Sequence, residues 1–131
     1  SAYGVTDLAD LIAPLDAVDM HRLMARSYMV MTDSGGIQEE APALGKPVLV
    51  LRRETERPEA VTAGTVKLAG TDTENIYRLA AELLDDPAAY DRMAKAVNPY
   101  GDGQACPRIA QAILSHFLPD VQPPEPFAPA R

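Results

Sequence analysis

The chain has 131 residues, an apolar fraction of 47% and a formal net charge of −7 at pH 7. Those values suit one domain with one core and argue against nucleic acid or an anionic membrane surface as a general partner. The single cysteine, Cys106, has no partner for an internal disulfide and matches a reducing, cytoplasmic compartment. No apolar run approaches a membrane span, and no basic-then-apolar opening reads as a signal peptide. The start, Ser1-Ala2-Tyr3, has no initiator Met and no clear first element, which reads as the start of a fragment.

Residues 1–10 are polar and weakly patterned, and Leu11-Ile12-Ala13 reads as a short strand closed by Pro14. From Leu15 to Ala25, the residues Leu15, Val18, Met20, Leu23 and Met24 fall at helical spacing, as in an amphipathic helix facing a core. His21 lies among polar neighbours with no second ligand at metal spacing, so no metal site is expected there. Tyr28–Met31 reads as a buried strand and Gly36–Leu44 as a helix that Pro42 keeps short or kinked, with Gly45 as its C′ residue. Pro47–Leu51 is a second buried strand with Pro47 at its first position. Two strands joined by a helix of this length form a right-handed βαβ unit with a parallel pair.

The charged loop Arg52–Glu59 follows the carboxyl end of that second strand, where α/β proteins bind ligands. Its alternating signs fit either surface ion pairs or an arginine that forks onto a diphosphate. Pro58 opens a short helical turn that Gly64 stops, and Thr65–Ala69 alternates as a third strand. A helix over Glu74–Leu84 is capped by Thr71 or Asp72, with Ile76, Leu79, Ala80, Leu83 and Leu84 as its stripe. Pro87 opens a further helix with Tyr90, Met93, Ala94 and Val97 at helical spacing. A turn cluster over residues 98–103 then precedes a last helix from Ala105 to Leu118, with Ile109, Ala112, Ile113 and Phe117 on one face. The expected domain is 1–118, followed by a Pro-rich tail, 119–131, that is extended or disordered.

The stretch Thr32-Asp33-Ser34-Gly35-Gly36 carries the functional signal. A strand runs through a polar turn into glycines that open a helix. The first helical N–H groups lack partners inside the helix, and the helix dipole adds positive charge there. Glycines let a ligand approach the backbone because no Cβ intervenes. Asp33 or Ser34 serving simply as a helix cap is the alternative. Gln38, Glu39 and Glu40 follow in the first turns, where a carboxylate can accept ribose hydroxyls, so phosphate and sugar would sit one turn apart as in nucleotide sites.

Three segments, TDSGGIQEEAPALGKPVLVLR, ETERPEAVTAGTVKLAGTD and NPYGDGQA, stand together in one order. With Pro14-Leu15-Asp16 and Ala25-Arg26-Ser27-Tyr28, they resemble the carboxyl-terminal domain of non-hydrolysing UDP-N-acetylglucosamine 2-epimerases over about residues 11 to 114. The resemblance implies an α/β fold with a Rossmann-like parallel sheet flanked by helices, the C-terminal half of a GT-B two-domain fold. It implies interconversion of UDP-GlcNAc and UDP-ManNAc by elimination and re-addition of UDP, with no nicotinamide, other cofactor or metal. Carried over by motif position, Ser34, Gly35 and Gly36 would bind the diphosphate, Glu40 the ribose, Arg57 would line the substrate cleft, and Leu15 and Met20 would frame the uracil. Some relatives have Gln and Phe at these last two positions, so base recognition by backbone groups is implied here.

No catalytic residue is assigned in this chain, because the carboxylates acting at C2 would lie in an amino-terminal domain. The chain alone is then expected to bind UDP weakly and to turn over nothing, and a homodimer is a family expectation. The donor-nucleotide domain of a GT-B glycosyltransferase, a hydrolysing 2-epimerase and a UDP-binding module without catalysis are the competing readings.

Overall fold

The computed structural model describes residues 9–127. The expectations for residues 1–8, and for the end of the tail at 128–131, lie outside the described residues. The element order is α1 (Ala17–Arg26), β1 (Val30–Thr32), α2 (Gly35–Ala43), β2 (Val48–Val50), α3 (Pro58–Ala63), β3 (Val66–Leu68), α4 (Thr73–Asp85), α5 (Pro87–Ala94) and α6 (Ala105–Phe117). The three strands form one parallel sheet in the order β1-β2-β3. Val30 pairs with Val48 and Val48 with Val66, so the strands run level. This is the parallel α/β arrangement that the strand–helix–strand pattern predicts.

Side-chain alternation on β2 divides the core. Val48 and Val50 join Met24, Ala41, Ala60 and Val66 on the face covered by α1, α2 and α3. Leu49 points to the other face and meets Leu79, Leu83 and Met93 from α4 and α5. A strand with both faces covered must be apolar throughout, and all three β2 residues are buried.

Several boundaries follow from caps. Asp16 accepts the Asp19 N–H at 2.9 Å and starts α1 at Ala17, so Leu15 lies just ahead of the helix rather than in it. Asp72, of the two candidates, caps α4 by accepting from the Asn75 N–H at 3.0 Å. Gly64, at φ 81°, closes α3 in the left-handed region, and Gly45, at φ 67°, does so after α2. Pro42 falls in the last turn of α2, where the helix is already ending.

Three expectations are corrected. Leu11-Ile12-Ala13 forms no strand: Leu11 and Ile12 are 78% and 62% exposed, and among the described residues no strand lies beside them to pair their backbone. The first strand begins at Val30, not Tyr28; it stands at the edge of the sheet formed by the described residues, and Met31 is exposed. Tyr28 instead donates its hydroxyl to the Leu83 carbonyl at 2.9 Å, while the Tyr90 hydroxyl donates to the Tyr28 carbonyl at 3.0 Å. The two rings lie 4.3 Å apart and tie the entry of β1 to α4 and α5. Val97 falls beyond the end of α5 and is exposed.

The last helix buries no residue. After it, residues 121–127 contain no helix or strand. This segment turns back along α6, with Gln111 donating to the Gln122 carbonyl at 3.0 Å and the Arg108 guanidinium 5.7 Å from the Phe127 ring centroid.

Candidate functional site

The carboxyl ends of β1 and β2 deliver two segments to one edge of the sheet: the turn 32–34 that enters α2, and the loop 51–57. Thr32 is buried and its hydroxyl accepts the Ser34 N–H at 3.0 Å, which fixes the turn. Ser34 occupies the N-cap position in extended conformation, yet its side chain makes no cap hydrogen bond. The capping role offered as an alternative for this residue is therefore not the one its hydroxyl plays.

Gly35 and Gly36 begin α2 with ordinary negative φ angles. A Cβ built on Gly35 would meet nothing within 4 Å, and one on Gly36 would come no nearer than 4.0 Å, to Glu40 Oε1. The fold itself thus has room for side chains at both positions. A requirement for glycine here has to come from something that approaches the helix start from outside.

One turn on, Glu40 is exposed and its Oε2 lies 2.9 Å from His21 Nε2. This pair joins α2 to α1, one residue past Met20. Met20 itself is half-buried and packs on the same cluster as Ile37. Leu15 is half-buried at the entry to α1.

Arg57 is half-buried at the start of α3, where its Nε donates to Glu39 Oε1 and its Nη1 to the Glu56 carbonyl at 3.2 Å. The hydrogen bond that Arg57 donates to Glu39, and then the charge of Glu39, raise the Arg57 pKa further and keep the guanidinium cationic. Behind these surface groups lies Gln38, 1% exposed. Its Nε2 donates to the Ser34 carbonyl at 3.2 Å, and its Oε1 accepts from the Thr55 hydroxyl at 2.6 Å. Thr55 in turn accepts the Arg57 N–H at 3.0 Å.

The structure thus gathers Ser34, Gly35, Gly36 and Glu40 on one helix start, with Arg57 bonded to that helix through Glu39 and α1 bonded to it through His21. The sequence places Gln38 and Glu39 in this stretch but does not show the bonds they make. His21 was weighed only as a metal ligand, and nothing in the sequence pointed from Gln38 to Thr55 or from Glu39 to Arg57.

A cavity of about 490 Å³ opens nearby, lined among others by Glu39, Glu40, Tyr100, Asp102, Arg108 and Phe127. Ser34, Gly35, Gly36 and Arg57 do not line it, so the helix start presents an open surface beside it. Among the described residues the buried Tyr100 hydroxyl has no hydrogen-bond partner, and burial, followed by the charges of Glu59 and Glu39, pushes its pKa up. Among the described residues no three His, Cys, Asp or Glu side chains cluster as a metal site, and no helix is long and apolar enough to cross a membrane.

Fold and site together define a parallel α/β domain with a glycine-opened helix N-terminus at the carboxyl edge of its sheet. Residues 2–114 match the family model described as UDP-N-acetylglucosamine 2-epimerase, and the chain belongs to that family. It is 56% identical over 125 residues to the UDP-N-acetylglucosamine 2-epimerase of Bacillus subtilis, an alignment covering 95% of this chain and 33% of that protein.

Among solved structures, the S. aureus MnaA–UDP co-structure superposes with a TM-score of 0.84 at 52% identity, over 91% of this chain and 33% of the other. The UDP-GlcNAc 2-epimerase of Neisseria meningitidis bound to UDP-GlcNAc gives a TM-score of 0.76 at 52% identity, over 79% and 28% of the two chains. The chain thus spans about a third of the length of the relatives it matches.

Proposed function

We propose that this chain is the UDP-gripping carboxyl-terminal part of a UDP-N-acetylglucosamine 2-epimerase, an isomerase that interconverts UDP-GlcNAc and UDP-ManNAc in the cytoplasm. It would form the second half of a GT-B fold, with an amino-terminal domain supplying the acid and base carboxylates across a cleft. The observation that carries the reading is the pair of glycines at the start of α2, which the fold does not require and a close-approaching anion does. Relatives solved with UDP and with UDP-GlcNAc, superposing over most of this chain, support it.

In this reading Ser34, Gly35 and Gly36 hold the diphosphate and Glu40 accepts the ribose hydroxyls. Arg57 lines the cleft, and Leu15 and Met20 frame the uracil beside His21. Charge builds on the diphosphate as the C1–O bond breaks. The N–H groups of α2 and the guanidinium of Arg57 meet that charge without reorganising, so they stabilise the transition state more than the ground state. Each hydrogen bond to a charged group contributes roughly 1.5–3 kcal/mol, so a few keep UDP seated between elimination and re-addition.

The test joins the amino-terminal two-thirds of the Bacillus subtilis relative to this chain and follows UDP-ManNAc formation from UDP-GlcNAc. C2 inversion by the chimera and none by the 131-residue chain is the expected result. A folded, UDP-binding chimera that transfers the sugar to an acceptor would favour the glycosyltransferase reading. Release of free ManNAc would favour the hydrolysing relative. UDP binding without either would leave a binding module. The oligomeric state of the same chimera, read by light scattering, tests for the homodimer.

A further inference from the structure

Gln38 is the largest buried polar side chain of the described residues, and both ends of its amide are engaged. The Ser34 carbonyl can only accept, so the Gln38 nitrogen must face it and the Gln38 oxygen must face Thr55. The Thr55 hydroxyl then donates to Gln38 and accepts from the Arg57 backbone N–H, using both of its functions. The result is an unbroken line of hydrogen bonds from the carbonyl of the N-cap residue, through the interior, to the backbone of Arg57. It links the turn after β1 to the loop after β2, beyond the backbone bond from the Leu51 N–H to the Thr32 carbonyl at 2.9 Å. The next residue, Glu39, makes the same crossing on the surface by accepting from Arg57 Nε. A buried amide is costly unless satisfied, and an apolar side chain would fill this space at no such cost.

We propose that Gln38 and Thr55 are positioning residues, which set the separation between the diphosphate-facing start of α2 and the Arg57 guanidinium so that one nucleotide meets both at once. This rests on the nucleotide reading given above and deepens it. Neither side chain touches the ligand. Their effect is to hold the Arg57 loop at the spacing a diphosphate requires, so that ordering the loop is not charged against binding.

The test is a UDP titration of the full 131-residue chain by NMR, reading the Gly35 and Gly36 amides and the Arg57 Nε–H. Thr55→Val keeps the shape and removes both hydrogen bonds. It is expected to weaken UDP about fivefold, or about 1 kcal/mol at 1.4 kcal/mol per tenfold, and to move the Arg57 Nε–H signal in the free chain. Thr55→Ser, which keeps the hydroxyl, should restore both. In an Arg57→Ala chain, Thr55→Val should cost less than about twofold, because the group it positions is gone. Unchanged amides of Leu49 and Val50 certify the fold, and Thr55→Ala serves if valine is not accommodated.

Wild-type affinity in Thr55→Val overturns the proposal, as does the same fivefold loss in the Arg57→Ala background. A folded wild-type chain with no saturable shifts at Gly35 and Gly36 sinks the nucleotide reading itself, and this proposal with it. That outcome is distinct from a wild-type chain that binds and a Thr55→Val chain that binds equally well.

Discussion

Helices α4 and α6 are each 13 residues long, and each carries an apolar stripe on one face. On α4 the stripe is covered: Leu79 and Leu83 are buried against Leu49 of the central strand and Met93 of α5. On α6 the equivalent residues stay in solvent, with Ile113 and Phe117 55% and 74% exposed and no residue of the helix buried. The two sequences announce the same kind of surface, and their surroundings differ. An apolar stripe at period 3.6 reports that a helix has a face to bury; it does not report whether the chain in hand supplies the cover.

Truncation should therefore cost stability at one helix and not at the other. The largest effect expected is at Leu83, which is fully buried at the joint of α4, α5 and β2. Leu83→Ala removes its side chain from a close-packed site and should destabilise the chain by about 3 kcal/mol in a urea titration. A loss below about 1 kcal/mol would mean that the α4–α5 layer is as loosely held as α6, and the contrast would collapse.

The same distinction governs what was legible beforehand. β2 could be read because a strand covered on both faces is apolar at every position, and α3 because Pro58 and Gly64 fix its ends by their own backbone preferences. The first strand starts two residues later than its composition predicts, because Tyr28 is apolar enough for a strand but serves as a hydrogen-bonding strut to α4 and α5. Leu11–Ala13 has strand composition and, among the described residues, no neighbour to pair with.

In the candidate site, the helix start was legible from five adjacent residues, 32–36, since N-caps and glycines act locally. The bonds that hold it were not. Thr55 and Gln38 are 17 residues apart and His21 and Glu40 are 19 apart, with neither pair at a spacing that a helix or strand would bring together. Such partnerships are set by how β1, β2 and α1 stack.

A smaller effect, of opposite sign, is expected at the other uncovered surface, the start of α2. Gly36 has negative φ and space around it, so Gly36→Ala should raise stability by about 0.5 kcal/mol by reducing the freedom of the unfolded chain. The same methyl stands where a diphosphate would approach, and UDP should bind at least tenfold more weakly by calorimetry. A protein made more stable and less able to bind would separate the requirements of fold and ligand at one residue. Equal UDP affinity would assign the glycine to neither.

The start of α6 is held by charge rather than by burial. Asp102 accepts from Arg108 Nη1 and Nη2, both at 2.7 Å, and from the Gln104 N–H at 3.0 Å. The Arg108 hydrogen bonds, followed by the Gln104 N–H, hold the Asp102 carboxyl well below the usual carboxylate range. A depressed folded-state pKa stabilises the fold above the unfolded value of about 3.9, and that contribution is lost as the pH falls below it toward the folded value. A carbon-detected NMR titration should find Asp102 still ionised at pH 3. Asp102→Asn should flatten the acid dependence of the α6 amide shifts while leaving those of α4 unchanged. Normal titration of Asp102 would mean that the pair with Arg108 does not hold the helix start.

The smallest expected effect separates the two helices most directly. Ile113→Ala makes the same kind of truncation as Leu83→Ala, on a helix of the same length, but Ile113 is more than half exposed and leaves no cavity. Its methyl groups lose little burial, and alanine has the better helix propensity because it gives up no side-chain freedom along the helix. The balance should fall within about 0.5 kcal/mol of zero, on the stabilising side, with more α6 helicity by amide exchange. A loss approaching that of Leu83→Ala would show that something in this chain covers the α6 stripe in solution. Self-association would make that loss depend on protein concentration, because a partner copy stabilises by mass action. A loss independent of concentration would place the cover within one molecule, and the residues that follow α6, which already turn back along it at Gln122 and Phe127, would be its source.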